Sequence, residues 1–171
     1  MNVIDDVLEA NHHFAENFSG NDLPTKPAKK LAVVACMDYR IPIAEALGLQ
    51  NGDAVVIRNA GGIITEDTLR SLLVAHYRLG VTDVMIINHT QCGMTTFGDE
   101  ELVEFLEKET GHTAVIPAHF HTFSDLEANV RRQFRRLESH VWIPKDLQVR
   151  GFIYDVKTGQ LTDVSKEQPA E

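Results

Sequence analysis

Three short apolar runs constrain the fold of this chain more than any other feature. They read "LAVVAC" at residues 31–36, "DAVVIR" at 53–58 and "DVMIIN" at 83–88. Their apolar residues are consecutive, which is typical of strands that are buried on both faces, as in a parallel sheet. Between the second and third runs lies "TEDTLRSLLVAHYRLG", in which Thr65 suits a helix N-cap and Gly80 suits a helix stop. The segment therefore predicts a helix between two strands.

The order of the predicted elements indicates the fold class. Further helices are predicted around 99–109 and 124–139, and "QVRGFIYDV" at 148–156 is typical of a late strand. Strands that alternate with helices predict an α/β layer fold, with a mostly parallel β-sheet flanked by helices. A length of 171 residues suits one domain, so we expect residues 1–171 to form it.

The two ends of the chain are predicted to be appendages. Residues 3–18 place apolar side chains at helical spacing, and "SGNDLPTKPAKK" at 19–30 then interrupts the helix, which predicts an N-terminal helical arm over 1–20. The arm has no evident surface in its own chain, so a second copy is the expected acceptor and we predict a homo-oligomer, at least a dimer. The polar residues 164–171 predict a flexible tail.

Charge and cysteine content exclude several classes of function. The net charge of −9 argues against nucleic acid and against anionic membranes as partners. No apolar run approaches the roughly 18 residues of a membrane span, and the acidic start does not resemble a signal peptide. We therefore expect a cytoplasmic protein. In a reducing compartment, two cysteines are expected to be metal ligands or reactive thiols rather than a disulfide.

The two cysteines follow different predicted strands. Cys36 ends the first apolar run, and His89 and Cys92 follow the third. Because the carboxyl ends of parallel strands meet at one edge of a sheet, these three side chains are expected to lie together. Two thiolates and an imidazole suit zinc with an open fourth position. The alternatives are cysteines that only pack in the core and a phosphatase-like C-x5-R loop, although Pro42 stands where that arginine would be.

A carboxylate and a guanidinium accompany the first cysteine. In an extended stretch, Cys36, Asp38 and Arg40 point to the same side of the chain. Asp38 can occupy the open position as a fourth metal ligand, or it can pair with Arg40 and accept a hydrogen bond from metal-bound water. The alternative is an ordinary surface ion pair.

The segment "RNAGG" at 58–62 is expected to line the same site. Gly61 and Gly62 permit a close backbone approach or a positive φ. An ordinary turn between a strand and a helix explains the two glycines equally well.

The combination of C-x-D-x-R with H-x-x-C resembles the β-class carbonic anhydrases, in particular their short-chain members. The similarity runs through "VVACMDYRI", "VIRNAGG" and the stretch that ends in "MIINHTQCGM". The resemblance implies Zn²⁺ on Cys36, His89 and Cys92, with Asp38 and Arg40 as the catalytic pair. It also implies dimers or tetramers in which the N-terminal helix lies over the partner.

The activity that the resemblance implies is the reversible hydration of CO2 to bicarbonate and a proton by zinc-bound hydroxide. Zinc lowers the pKa of its water to about 7 in carbonic anhydrases, a value established for those enzymes. Two alternatives stay open. Related proteins hydrolyse CS2 or COS, which are linear and apolar like CO2, with the same ligands; and a closed zinc site could stabilise a non-catalytic binding module.

Overall fold

A computed structural model of the chain describes residues 2–20, 22–113 and 119–165. Its strands are β1 (Leu31–Cys36), β2 (Ala54–Asn59), β3 (Asp83–His89), β4 (Gln148–Tyr154) and β5 (Leu161–Asp163). They form one sheet in the order β2-β1-β3-β4-β5. The first four strands pair in parallel and β5 pairs antiparallel to β4. The prediction of a mostly parallel sheet is confirmed, whereas β5 was not predicted.

The α-helices of the described residues are α1 (Val3–Glu16), α2 (Ile43–Leu47), α3 (Glu66–Leu79), α4 (Asp99–Thr110) and α5 (Leu126–Glu138), and a 3-10 turn spans Gly93–Thr95. The predicted ends of α3 are confirmed: the Thr65 side chain accepts a hydrogen bond from the Thr68 N–H, and Gly80 ends the helix with a φ of 76°. The short helix α2 was not predicted. None of the described helices has the length and apolar character that a membrane crossing requires.

Successive residues of β1 face two different cores, as expected for a central strand. Ala32 and Val34 pack in the core that holds Leu72 of α3 and Leu137 of α5. Val33 and Ala35 pack in the other core, with Ile41, Ile63 and Phe123. The metal-site residues described below lie at one end of this second core.

The prediction of burial on both faces is wrong for β2. This strand lies at the edge of the sheet and pairs only with β1 among the described strands, and Val56 is 45% exposed. Residues 54–59 are therefore only partly buried. A run of consecutive apolar residues does not by itself distinguish an edge strand from a central strand.

The two ends of the described chain differ. Helix α1 buries none of its residues, and its apolar side chains Val3, Ile4, Val7, Leu8 and Phe14 are all more than half exposed. At the other end, part of the predicted tail is ordered: Val164 is buried, and the Gly151 N–H donates to the Ser165 hydroxyl at 2.9 Å. The remainder of that tail, residues 166–171, lies outside the described residues.

Candidate metal centre and active site

Neighbouring strand ends bring the candidate metal ligands together. Cys36 is the last residue of β1, and His89 is the last residue of β3, which pairs in parallel with β1. Cys92 lies in the turn that follows. All three side chains are buried, and their donor atoms lie within 4.8 Å of one another. The expectation that these residues meet at one edge of the sheet is thus met.

The two sulfurs are placed for a shared ion rather than for a disulfide. The distance between Cys36 Sγ and Cys92 Sγ is 3.9 Å, whereas a disulfide needs about 2.05 Å. Two zinc–sulfur bonds of about 2.3 Å at a tetrahedral angle would separate the sulfurs by about 3.8 Å. The hydrogen bond from the Cys92 thiol lowers the pKa of Cys36. Donating that bond, together with burial, raises the pKa of Cys92.

The imidazole of His89 offers a free nitrogen to the same space. Its Nδ1 lies 3.0 Å from the Thr90 carbonyl oxygen, so Nδ1–H donates there and Nε2 carries a lone pair. Within the described parts of the chain, Nε2 is buried and has no hydrogen-bond partner. Buried polar atoms are rarely left unpaired, and a metal ion would satisfy this one. The two sulfurs and this nitrogen therefore fit a zinc ion.

Asp38 and Arg40 form a bidentate salt bridge beside these donors. Arg40 Nε donates to Asp38 Oδ1 at 2.9 Å, and Nη2 donates to Oδ2 at 2.7 Å and to the Gln91 carbonyl at 3.0 Å. The guanidinium holds the pKa of Asp38 well below its usual range. Asp38 Oδ2 lies 3.7 Å from His89 Nε2. The carboxylate is thus bound to Arg40 at the edge of the donor group, and its role as a fourth ligand stays a prediction.

Arg58 has a more definite position than the sequence indicated. Its guanidinium donates to three backbone carbonyls, those of Cys36 at 2.9 Å, Ile41 at 3.2 Å and Asp38 at 2.6 Å. These carbonyls belong to the loop that carries the first cysteine and the ion pair. Arg58 therefore stabilises one conformation of this loop. In the sequence, the only indication of this role is a charged residue at the end of an apolar strand.

The turn after β2 approaches the first cysteine closely. Gly61 and Gly62 have φ values of 82° and 62°. A Cβ on Gly62 would lie 3.0 Å from the Cys36 nitrogen and from the Ile87 carbonyl oxygen. The Gly61 N–H donates to Cys36 Sγ at 3.4 Å. Both glycines are needed here for positive φ, and the second also for close approach.

The fold and these side chains define an α/β protein in which two cysteine sulfurs and one imidazole form a cluster that could hold a metal ion, at the carboxyl edge of a parallel sheet. The family model for carbonic anhydrase matches residues 31–161. β-Carbonic anhydrase 1 of Mycobacterium tuberculosis is 39% identical over 165 residues, 96% of this chain and 99% of that protein. The chain belongs to the β-carbonic anhydrase family. The β-carbonic anhydrases are zinc enzymes, in agreement with the donor set described above.

Other similar proteins include both carbonic anhydrases and carbon disulfide hydrolases. The crystal structure of a carbonic anhydrase from Streptococcus mutans superimposes with a TM-score of 0.90 at 38% identity, covering 96% of this chain and 98% of that one. A carbon disulfide hydrolase from Acidithiobacillus thiooxidans is 33% identical over 151 residues, 78% of this chain and 76% of that protein. Among the sequence matches, the one to β-carbonic anhydrase 1 covers 96% of this chain and the one to the carbon disulfide hydrolase covers 78%.

Proposed function

We propose that this chain is a zinc-dependent carbonic anhydrase that interconverts CO2 and water with bicarbonate and a proton. One observation carries the proposal. The unpaired Nε2 of His89 and two close sulfurs lie beside a carboxylate that an arginine holds ionised. In this proposal, Cys36, His89 and Cys92 hold the metal, and Asp38 and Arg40 are the catalytic pair.

Zinc, when bound, acts as a Lewis acid that lowers the pKa of a coordinated water towards neutrality. Asp38 supplies orientation, because an ionised carboxylate only accepts hydrogen bonds. Its Oδ2 can accept a hydrogen bond from the attacking oxygen, which leaves a lone pair of that oxygen facing the carbon of CO2. Arg40 occupies both carboxylate oxygens with its fork of donors, so it keeps Asp38 ionised and in place.

The same site could serve two other functions. Hydrolysis of CS2 or COS needs the same ligands and a similarly small, apolar substrate. A zinc-stabilised binding module needs only the metal. The forked pair of Asp38 and Arg40 favours an enzyme, because a purely structural zinc site has no use for an ionised carboxylate beside its donors. The longer match to β-carbonic anhydrase 1 favours CO2 over CS2.

Stopped-flow measurement of CO2 hydration between about pH 6 and pH 9, with zinc analysis of the same sample, tests the proposal. We expect one zinc per chain and hydration that rises with pH. Release of hydrogen sulfide from CS2 or COS without CO2 hydration would assign the alternative substrates. Bound zinc without either activity would assign the binding module.

We also propose that the protein is a homo-oligomer, a dimer or a tetramer, in which α1 lies against a neighbouring copy. The exposed apolar side chains of α1 support this, because none of the residues that the structure describes covers them. A cytoplasmic location is proposed on different grounds. Cys36 and Cys92 do not form a disulfide, which suits a reducing compartment.

A further inference from the structure

Three side-chain amides are buried behind the metal site. Asn88 is the residue before His89 on β3, and Asn129 and Gln133 lie one turn apart on α5. None is more than 3% exposed. Burying an amide is costly unless its donors and acceptors are bonded, so three together need a reason.

The amides form one continuous chain of hydrogen bonds. Asn88 Nδ2 donates to the Gly61 carbonyl at 3.0 Å, and Asn129 Nδ2 donates to Asn88 Oδ1 at 2.7 Å. Gln133 Nε2 donates to Asn129 Oδ1 at 2.9 Å, and Gln133 Oε1 accepts from the Ile64 N–H at 3.0 Å. The chain thus begins and ends on the turn that follows β2.

The backbone groups at the two ends of this chain of hydrogen bonds give every amide a single orientation. A backbone N–H at Ile64 can only donate and the Gly61 carbonyl can only accept. Arg132 Nη2 can also only donate, and it does so to Asn129 Oδ1 at 2.7 Å. Turning any one amide over would place two donors or two acceptors face to face. The orientation of Asn88 is therefore determined from α5.

The turn held in this way carries a donor to the first cysteine. The Gly61 N–H lies 3.4 Å from Cys36 Sγ, and the same glycine is held at its carbonyl by Asn88. A hydrogen bond to a metal-bound sulfur withdraws electron density from it and weakens its donation to the metal, and such outer contacts tune metal centres.

We propose that Asn88, Asn129 and Gln133 are positioning residues that hold the Gly61 N–H on the Cys36 sulfur and so set how strongly that sulfur donates to the metal. The inference rests on the proposed function in taking Cys36 as a ligand. None of the three amides touches the substrate. They act through the turn that follows β2. Loss of this chain of hydrogen bonds should change how strongly the Cys36 sulfur donates electrons to the metal.

Cobalt substitution tests the inference directly. Co²⁺ bound by thiolates gives a charge-transfer absorption whose energy falls as the sulfur becomes a stronger donor. Asn129→Asp keeps an acceptor for Arg132 and Gln133 and replaces the donor to Asn88 with a carboxylate oxygen, whose added charge lies beside the Arg132 guanidinium. We expect its charge-transfer band at lower energy and kcat of the zinc form about tenfold lower, within the range known for such outer contacts. Gln133→Glu replaces its donor to Asn129 Oδ1 with a carboxylate oxygen, but Arg132 still bonds Asn129 Oδ1 and Asn129 keeps its donor to Asn88, so its shift should be smaller.

Val130→Ala is the matched control. Val130 is buried beside Asn129 on α5 and faces Gly151, so truncation destabilises the protein without touching the amides. Its cobalt band should stay at the wild-type position. A wild-type band in Asn129→Asp, or an equal shift in Val130→Ala, overturns the inference. If Asn129→Asp does not fold, an unshifted band in Gln133→Glu overturns it. A wild-type protein without any thiolate–cobalt band would instead contradict the proposed function.

Discussion

Two regions differ in how their side chains are paired or buried: the carboxyl edge of β1 and β3, and the helix α1. At the edge, loops and neighbouring strands supply partners for nearly every polar group, and the unpaired His89 Nε2 points to an ion. On α1, the N-terminal cap is complete, with Asn2 accepting from Ile4 and Asp5 bonding back, yet no residue is buried. The helix completes its own cap but packs against none of the described residues closely enough to bury a side chain. We propose a cation for the first region and a second copy of the chain for the second.

The largest expected effect is the loss of metal from the carboxyl edge of the sheet. Cys36→Ser replaces a soft thiolate with a hard hydroxyl, which is a poor zinc ligand. We expect zinc to be lost and CO2 hydration to fall by far more than the roughly 10- to 100-fold that loss of an outer contact costs. Metal analysis and stopped-flow assays measure both. Full zinc content in this variant would contradict the assignment of Cys36 as a ligand.

Arg40→Ala separates the catalytic pair from the metal. The substitution removes both guanidinium bonds to the Asp38 carboxylate and leaves only the bond from the residue 40 backbone N–H to Oδ1. Oδ2 can then turn towards the metal, and we expect activity to fall about 100-fold while most zinc remains. Arg40→Lys is the control, since it keeps the charge and loses the fork, and it should recover only part of the activity. Turnover at the wild-type rate in Arg40→Ala would limit the pair to a structural role.

Arg58→Ala tests whether the loop needs its three-carbonyl anchor. Loss of these bonds leaves the carbonyls of Cys36, Asp38 and Ile41 without that partner, so we expect activity to fall about tenfold, and zinc content to fall less. Arg70→Ala serves as the control, because Arg70 pairs only with Asp67 on the exposed side of α3. Equal behaviour of the two variants would show that the anchor does not support the site.

The sequence allowed the edge of the sheet to be predicted because its signals are local. Apolar runs end at Cys36 and at Asn88, and Thr65 and Gly80 mark their helix by short-range hydrogen bonds. The elements that were missed are short: α2 has five residues, too few to show a helical pattern, and β5 has three residues, which pair with β4. The burial of β2 depends on strand order.

The same limit applies to the site. Cys36, His89 and Cys92 could be grouped from strand ends, whereas the amide chain could not. Asn129 and Gln133 are polar residues on a helix rich in arginine, and composition alone assigns such residues to the solvent side. The packing of α5 against β3 and β4 buries them.

Val7→Asp acts on the second region. Val7 lies among the exposed apolar side chains of α1, and burying such a side chain stabilises an interface by about 1.5–3 kcal/mol. We expect the dimer to dissociate at least about tenfold more readily, as measured by sedimentation over a range of concentrations. Glu9→Ala, on the polar side of the same helix, should leave assembly unchanged. A wild-type protein that sediments as a 19.1 kDa monomer at micromolar concentration would contradict the proposed assembly.

The smallest expected effect concerns the C-terminal end, which is tied to the sheet where α1 is not. Hydrogen bonds from Ser165 and Arg150 lower the pKa of Asp163 to about 2. A carboxyl whose pKa is lower in the folded than in the unfolded protein stabilises the fold above its unfolded pKa of about 3.9, and this stability is lost as pH falls towards 2. Asp163→Asn should therefore cost about 1 kcal/mol at pH 7 and progressively less below about pH 4. Urea unfolding from about pH 7 to pH 3 measures the difference. A constant difference across that range would show that the charge of Asp163 contributes nothing to holding this end of the chain on the sheet.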